Sequence, residues 1–391
     1  MGDSSFGRIQ EFRRSAARRI AILLAILLVA PAIARAATFK QVGTATALKG
    51  APGIYEWRYI AIVGSSPFDL IGLHLLAKGP TPPANPGAVV LYLPGTNMNG
   101  EVALDDPAHS LPVYLAERGV EVWSMDYRTH FIPPETPMSG LSELKDWTNQ
   151  MFAGDIDVAA KFVESQTHRG ELFVAGFSRG VEFAYLYAAM HPENVAGIIA
   201  LDGFMPPLGA PLIAGTSKDV ASDIGGEHLT YDKRKKLIEM VIDNPNQPAP
   251  IPKYKTAREN LEHVVYGAGG VFGGKGGLAD PIDGKSDAVV LARLLITYDR
   301  YWPTVQDGDN PFTSELLEAL KSSKIPVIAF ASTNFGKSWP TLVTESAKST
   351  GTSAPAVKTL QGWGHLDVIV GTNSEQEVYV PVAAFIKQHQ K

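Results

Sequence analysis

Apolar runs of strand length alternate with helical stretches over much of the chain. Residues 54–63 and 70–76 are extended, and a serine- and proline-containing turn at 65–68 joins them. A proline-rich loop at 79–87 precedes an apolar run at 88–95 that ends in a glycine turn. A helical stretch at 107–118 leads to a short strand at 120–125. A third apolar run at 172–175 is followed by a helix at 179–190 and a strand at 195–201. Strands that are apolar at nearly every position are buried on both faces. The pattern therefore predicts an α/β fold with a mostly parallel central sheet covered by helices.

The alternation stops after Asp202. Between 204 and 310 there is no buried-strand pattern, only helical candidates at 231–242, 256–265 and 288–301. A proline-rich stretch at 243–252 and a glycine-rich run at 267–277 separate them. Strands resume at 325–331 and 356–360, and a helix at 378–388 closes the chain. Residues 37–203 and 311–391 thus read as the core, and 204–310 as a mainly helical cap. An insertion at this point should overlie the carboxyl ends of the strands, where such sheets bind ligands.

The first 36 residues are a separate object. Arg13, Arg14, Arg18 and Arg19 precede an apolar run at 20–30, then Pro31 and the small-residue site Ala34-Arg35-Ala36. This is the layout of a cleaved secretory signal, and the run is shorter than the ~20 residues of a membrane span. The chain is expected to be exported, periplasmic or secreted, with no stable membrane insertion after cleavage. Cleavage would leave 355 residues and move the net charge from -5 to -9. An acidic chain argues against a broad nucleic-acid-binding face. With 45% hydrophobic and 19% charged residues the composition is globular. The absence of cysteine excludes disulfides, thiolate nucleophiles and cysteine-held metals. No metal-ligand cluster and no cofactor fingerprint are visible. The glycine-rich run lacks the spacing and flanking strand of a dinucleotide site and reads instead as a mobile lid edge.

The sharpest motif is Gly176-Phe177-Ser178-Arg179-Gly180. It sits between an apolar strand and an amphipathic helix, the context in which such a turn lifts a serine hydroxyl clear of a sheet. The alternative is an inert serine in a strand-end turn. On this motif and the segment after its helix, the chain resembles the α/β-hydrolase superfamily, of serine esterase and lipase type. The resemblance covers most of the chain beyond residue 36, with the insertion as the variable cap. It implies Ser178 as nucleophile. Relatives with other chemistry, haloalkane dehalogenases and soluble epoxide hydrolases, place aspartate there. Serine points to acyl transfer through an acyl-enzyme.

The same resemblance implies two backbone donors for an oxyanion. Arg179 supplies one by position. The other belongs to the loop at 93–100, where Pro94-Gly95 replaces the more usual His-Gly pair. Thr96 is the candidate and Asn97 the next choice, unless the loop's asparagines only cap it. His365 lies between the last strand and the closing helix, where the superfamily keeps its catalytic histidine. The sequence around it also resembles, locally, the end of the acid lipases. His130 is the one rival, and His191 reads as structural.

The orienting acid departs from the common pattern. The strand at 325–331 ends in Ser332, Thr333 and Asn334, with no carboxylate. The preceding strand ends in Asp202, which some lipases of the superfamily use. Asp202 is the candidate. Asn334, Glu345, Asp367 and Asp299 are the alternatives, and a plain turn cap is the inert reading. In the insertion, Tyr254, Phe272, Tyr298, Tyr301 and Trp302 either form its own core or line an acyl pocket.

The reading that follows is a hydrolase of small or polymeric carboxylic esters. An amidase, peptidase or lactonase with the same site, or a non-catalytic binding protein on this fold, are the competitors. For the amino terminus, mass spectrometry of the exported protein should find Ala37 first, and a secreted chain retaining Met1 would overturn the signal assignment.

Overall fold

Two antiparallel neighbours open a ten-stranded sheet. The computed structural model describes residues 38–83, 85–101, 104, 106–211, 222–223, 231–267 and 285–391. The signal-like start, Phe272 and most of the glycine-rich run lie outside these residues. The two-residue strands β1 (Lys40–Gln41) and β2 (Thr46–Ala47) both pair with β3 (Ile54–Ile62). β3 pairs antiparallel with β4 (Leu70–Lys78), and β4 with β6 (Glu121–Asp126), which follows β5 (Val89–Leu93) in sequence. From β6 onward every pair is parallel, in the order β6, β5, β7 (Leu172–Phe177), β8 (Val195–Leu201), β11 (Val327–Ser332) and β12 (Ala356–Leu360). This is the mostly parallel sheet expected from the apolar runs. All residues of β5, β7 and β11 are buried, because helices cover both faces. The edge strand β12 buries only Leu360.

The chain leaves β5 toward β6 on one side and returns to β7 on the other. The loops after β5 and β7 therefore diverge around a crevice at the carboxyl edge, the switch point of a doubly wound sheet. The helix Arg179–Met190 follows β7 and is buried on nearly every face. The helix Asn149–Thr167 is absent from the sequence reading. It buries Phe152, Ile156, Ala159, Ala160 and Val163 at helical spacing, and Thr148 caps its first turn.

The insertion contributes the helices Tyr231–Asp243, Ala257–Tyr266 and Ala288–Leu295. Their Leu237, Leu261 and Leu291 belong to the same apolar cluster as Phe177, Leu201 and Leu360 of the sheet. The third helix ends earlier than its pattern suggests. The Thr297 carbonyl and the Asp299 amide bond to the loop after β5 rather than continuing a helix. Tyr301–Trp302 then forms β10, which pairs with β9 (Ser222–Asp223). Tyr298, Tyr301 and Trp302 are buried, and Trp302 packs edge-on against Tyr127 and Phe152, so these rings are core. The closing helix spans Val380–His389, preceded by a π-type turn at Glu375–Tyr379. Among the described residues no helix is long and apolar enough to cross a membrane.

A buried charge network crosses the antiparallel strands toward the loop after β5. Arg58 binds Glu56 and Glu101, Glu56 contacts His74 Nδ1 at 2.6 Å, and His74 Nε2 contacts Asp126 at 2.9 Å. Asp126 accepts the Gly100 amide at 2.7 Å. Gly100 must be glycine here, since an added Cβ would lie 2.3 Å from the His74 ring. Burial alone would lower the His74 pKa, but Asp126 and Glu56 outweigh it and raise it to about 10. Burial would raise Glu56, yet His74 and Arg58 bring it down to about 2. The stabilisation from His74 is therefore complete below its ordinary 6.5 and lost as pH rises through about 10. That from Glu56 is present above its ordinary 4.5 and lost as pH falls through about 2. Thermal unfolding followed against pH should show Tm of the unmodified protein falling on the alkaline side more steeply than that of His74→Gln; parallel slopes would contradict the assignment.

Candidate active site

Ser178 sits where β7 turns into its helix, with φ 54° and ψ −118°. A non-glycine residue rarely holds this conformation, and such strain concentrates at functional sites. Its neighbours hold it there. The Ser178 amide donates to the Leu201 carbonyl at 3.0 Å, and Val181 donates to the Ser178 carbonyl at 3.0 Å. A Cβ on Gly176 would lie 2.2 Å from the Gly180 carbonyl oxygen, and one on Gly180 1.9 Å from that of Leu93. On Gly203 it would lie 2.3 Å from the Ser178 carbonyl oxygen. The flanking glycines are thus a packing requirement of the turn. Ser178 itself is half-buried.

Asp202 follows β8 as Ser178 follows β7, and their preceding residues Phe177 and Leu201 pair in register. Asp202 is also held at positive φ, 51°. Its carboxylate is fully buried and meets four partners. The Ser332 amide (2.6 Å) and the Trp339 indole Nε1 (2.9 Å) donate to Oδ1. The Ser332 hydroxyl (2.7 Å) and His365 Nδ1 (2.6 Å) meet Oδ2. An ionised carboxylate only accepts, so this contact places the imidazole proton on Nδ1 and makes Nε2 the basic nitrogen. Ser332 occupies the strand end where a carboxylate is more common, and there it serves as a donor to Asp202. Trp339 and Ser332 carried no signal in the sequence, because their roles depend on pairing β8 with β11.

His365 is buried between aromatic rings: Phe177 at 4.7 Å between centroids, Phe335 stacked at 4.4 Å, and Trp339 edge-on at 5.8 Å. Its loop is pinned on both sides. The Gly362 amide donates to Thr333 and the Asn334 amide to the Trp363 carbonyl. Asp367 accepts from the Gly364 amide, Lys285 amide, Ser286 hydroxyl and Tyr266 hydroxyl. That carboxylate joins the His365 loop to the insertion. Burial raises its pKa, against those four donors.

Gly95 faces the serine turn, where an added Cβ would lie 3.1 Å from Ser178 Cβ. Thr96 follows it, half-buried, in a turn closed by the Met98 amide on the Gly95 carbonyl at 3.0 Å. Asn97 takes the left-handed position of that turn at φ 59°. The loop's asparagines grip the insertion: Asn97 bonds to Asp299 through backbone and side chain, and Asn99 to Thr297 and Asp299. Arg179 heads the helix after Ser178, where backbone N–H groups lack intrahelical partners. Its side chain is buried on Glu182, the Gln306 carbonyl and Asp307. Burial pushes Glu182 up to about 7, with Arg179 opposing.

The sequence-level rivals lie elsewhere. His130 contacts Asp299 at 3.0 Å. Burial would lower its pKa, but Asp126 and Asp299 raise it to about 9. Glu345 is exposed on the helix Trp339–Lys348, and the Asn334 side-chain Nδ2 is buried without a hydrogen-bond partner. No group of three or more His, Asp or Glu side chains among the described residues is placed to hold a metal ion.

No protein-family model matches the sequence, and no curated protein does. Among solved structures, a candidate lipase from Sulfolobus solfataricus matches with a TM-score of 0.72 and 25% identity, over 90% of this chain and 99% of that one. This chain has the α/β-hydrolase fold. Its sheet order, glycine-flanked turn and helical insertion are those of that fold. Looser likenesses are a carboxylesterase of Nitrososphaera gargenis and the thioesterase domain of the curacin biosynthetic pathway. The first has 15% identity, a TM-score of 0.44, and covers 83% and 98% of the two chains. The second has 16%, 0.45, and 90% and 100%.

The carboxylate geometry makes a sharp expectation. Asp202→Asn should lower kcat by roughly 10⁴, because the imidazole loses the partner that fixes its tautomer. Asn334→Ala should change it by less than about tenfold. A near-normal rate for Asp202→Asn in steady-state kinetics would remove Asp202 from the site.

Proposed function

We propose that this protein is an exported, serine-dependent hydrolase of carboxylic esters. The observation that carries the reading is the 2.6 Å contact between Asp202 and His365 at the carboxyl edge of the sheet, beside the strained Ser178 turn. The likeness to a candidate lipase supports the ester class. Export rests on the arginine-rich start and the small-residue site that follows it.

In this reading His365 Nε2 takes the Ser178 proton as Oγ attacks the ester carbonyl. The resulting oxyanion is met by the backbone amides of Thr96 and Arg179. As the tetrahedral species collapses, His365 returns the proton to the alcohol oxygen and the carbon–oxygen bond breaks, leaving an acyl-serine. Water then repeats the sequence: His365 takes its proton, the hydroxide adds to the acyl carbon, and the acid leaves as Ser178 regains its hydrogen. Asp202 stays ionised throughout and stabilises the imidazolium. The chemistry draws every proton from these side chains and water. The insertion, tied to the site through Asp299, Asp367 and Asp307, acts as the cap that bounds the substrate.

Fluorophosphonate labelling followed by peptide mapping tests the nucleophile. The label should reside on Ser178, and Ser178→Ala should lose both label and at least about 10³ of turnover on an activated ester while keeping its thermal transition. Label on another residue would refute the assignment. Labelling without ester turnover, but with turnover of amides or lactones, would replace the substrate class. No label and no turnover would favour a binding protein.

A further inference from the structure

Phe204, Phe335 and Trp339 form a cluster of half-exposed rings beside His365. Phe335 lies flat on the imidazole, with planes 12° apart. Trp339 meets Phe335 edge-on at 4.3 Å, and Phe204 packs edge-on against Trp339 at 5.0 Å. Phe204 leaves the end of β8 and the other two leave the end of β11, so two segments converge on one wall. Phe177, also against the imidazole, is by contrast fully buried and belongs to the core. Trp339 has a structural duty to Asp202, but nothing in the fold requires Phe204 and Phe335 to remain partly exposed. Grouped apolar surface beside a reacting centre is the signature of a ligand contact.

The chemistry says which part of the ligand meets this wall. In ester cleavage the alcohol oxygen takes its proton from the histidine, so the departing alcohol lies against the histidine and whatever packs around it. The carbonyl oxygen points instead toward the loop of Gly95 and Thr96, which abuts Ser178. We infer that Phe204, Phe335 and Trp339 form an alcohol-side subsite that selects esters of apolar, aryl-bearing alcohols. The inference rests on the ester-hydrolase reading and deepens it. Flat rings on the enzyme match flat rings on the substrate through offset and edge-on contacts.

The test holds the acyl group constant as acetate and varies the alcohol among ethyl, benzyl and 2-naphthylmethyl, whose oxygens are similarly poor leaving groups. The 2-naphthylmethyl ester should exceed ethyl acetate in kcat/KM by about tenfold or more, since burying this much apolar surface is worth at least that in a fitted pocket. Phe204→Ala should reduce this preference by about tenfold and Phe204→Leu by less, while the ratio of ethyl hexanoate to ethyl acetate is retained. Equal rates across the alcohols, or the same loss of alcohol and acyl preference in Phe204→Ala, would overturn the subsite. A second arm is independent of ester turnover: 2-naphthalenemethanol should slow fluorophosphonate labelling of Ser178 in the unmodified protein and less so in Phe204→Ala. Protection without ester cleavage would sink the ester reading and leave the subsite standing. No protection would sink the subsite whatever the substrate.

Discussion

The backbone contact between Gly180 and the Leu93 carbonyl is the constraint on which the site depends. Only a residue without Cβ allows the start of the helix after β7 to lie against the end of β5. That approach brings Ser178 beside Gly95 and the loop that follows it. It also forces Ser178 into a backbone conformation that costs of order 1–3 kcal/mol and persists only where the surroundings over-determine it. The surroundings here are two fully buried strands and a helix buried on almost every side. A well-packed sheet centre thus supports a strained edge.

Buried charge is the second cost the fold carries, and three carboxylates near the site have donors supplied to them. Asp202 is met by a backbone amide, a hydroxyl, an indole and the imidazole. Asp126 takes the His74 ring and the Gly100 amide. Asp367 gathers four donors from three segments, at 266, 285–286 and 364. Unpaired, any of these would be costly enough to protonate or to unfold its neighbourhood. Paired, they behave as directional fasteners. Asp126 ties the loop after β5 to the antiparallel strands, and Asp367 ties the histidine loop to the insertion. Asp299 ties that same β5 loop to the segment after the helix Ala288–Leu295.

The insertion is accordingly fastened to the hydrolase fold in two ways. Its helices share an apolar cluster with the sheet, which is non-directional. Its loops bind through carboxylates and asparagines, which fix register. The second mechanism explains why the helix beginning at Ala288 stops at Leu295 although its apolar pattern continues. Hydrogen bonds from Asn97 and Asn99 claim the backbone at Thr297 and Asp299. Tertiary partners there outcompete local helix propensity.

The sequence by itself determined the alternation of strands and helices, the interruption after Asp202 and the glycine-flanked turn at Ser178. These follow from local periodicity and from the steric demand of a tight turn, both of which are written in neighbouring residues. His365 and Asp202 were legible as candidates by their places after β12 and β8, but only as candidates. Their contact joins positions 163 residues apart, and local pattern holds no information about that distance. The helix Asn149–Thr167 is marked in sequence only by the Thr148 cap and the spacing of its apolar residues, and the C-terminal end of the third insertion helix was set by partners far away in the chain. Ser332 and Trp339 illustrate the limit most clearly: a serine and a tryptophan have many uses, and they became donors to Asp202 only when β8 and β11 paired. Tertiary structure decided these roles because a buried charge recruits whatever donors the fold brings within about 3 Å, regardless of their place in the chain.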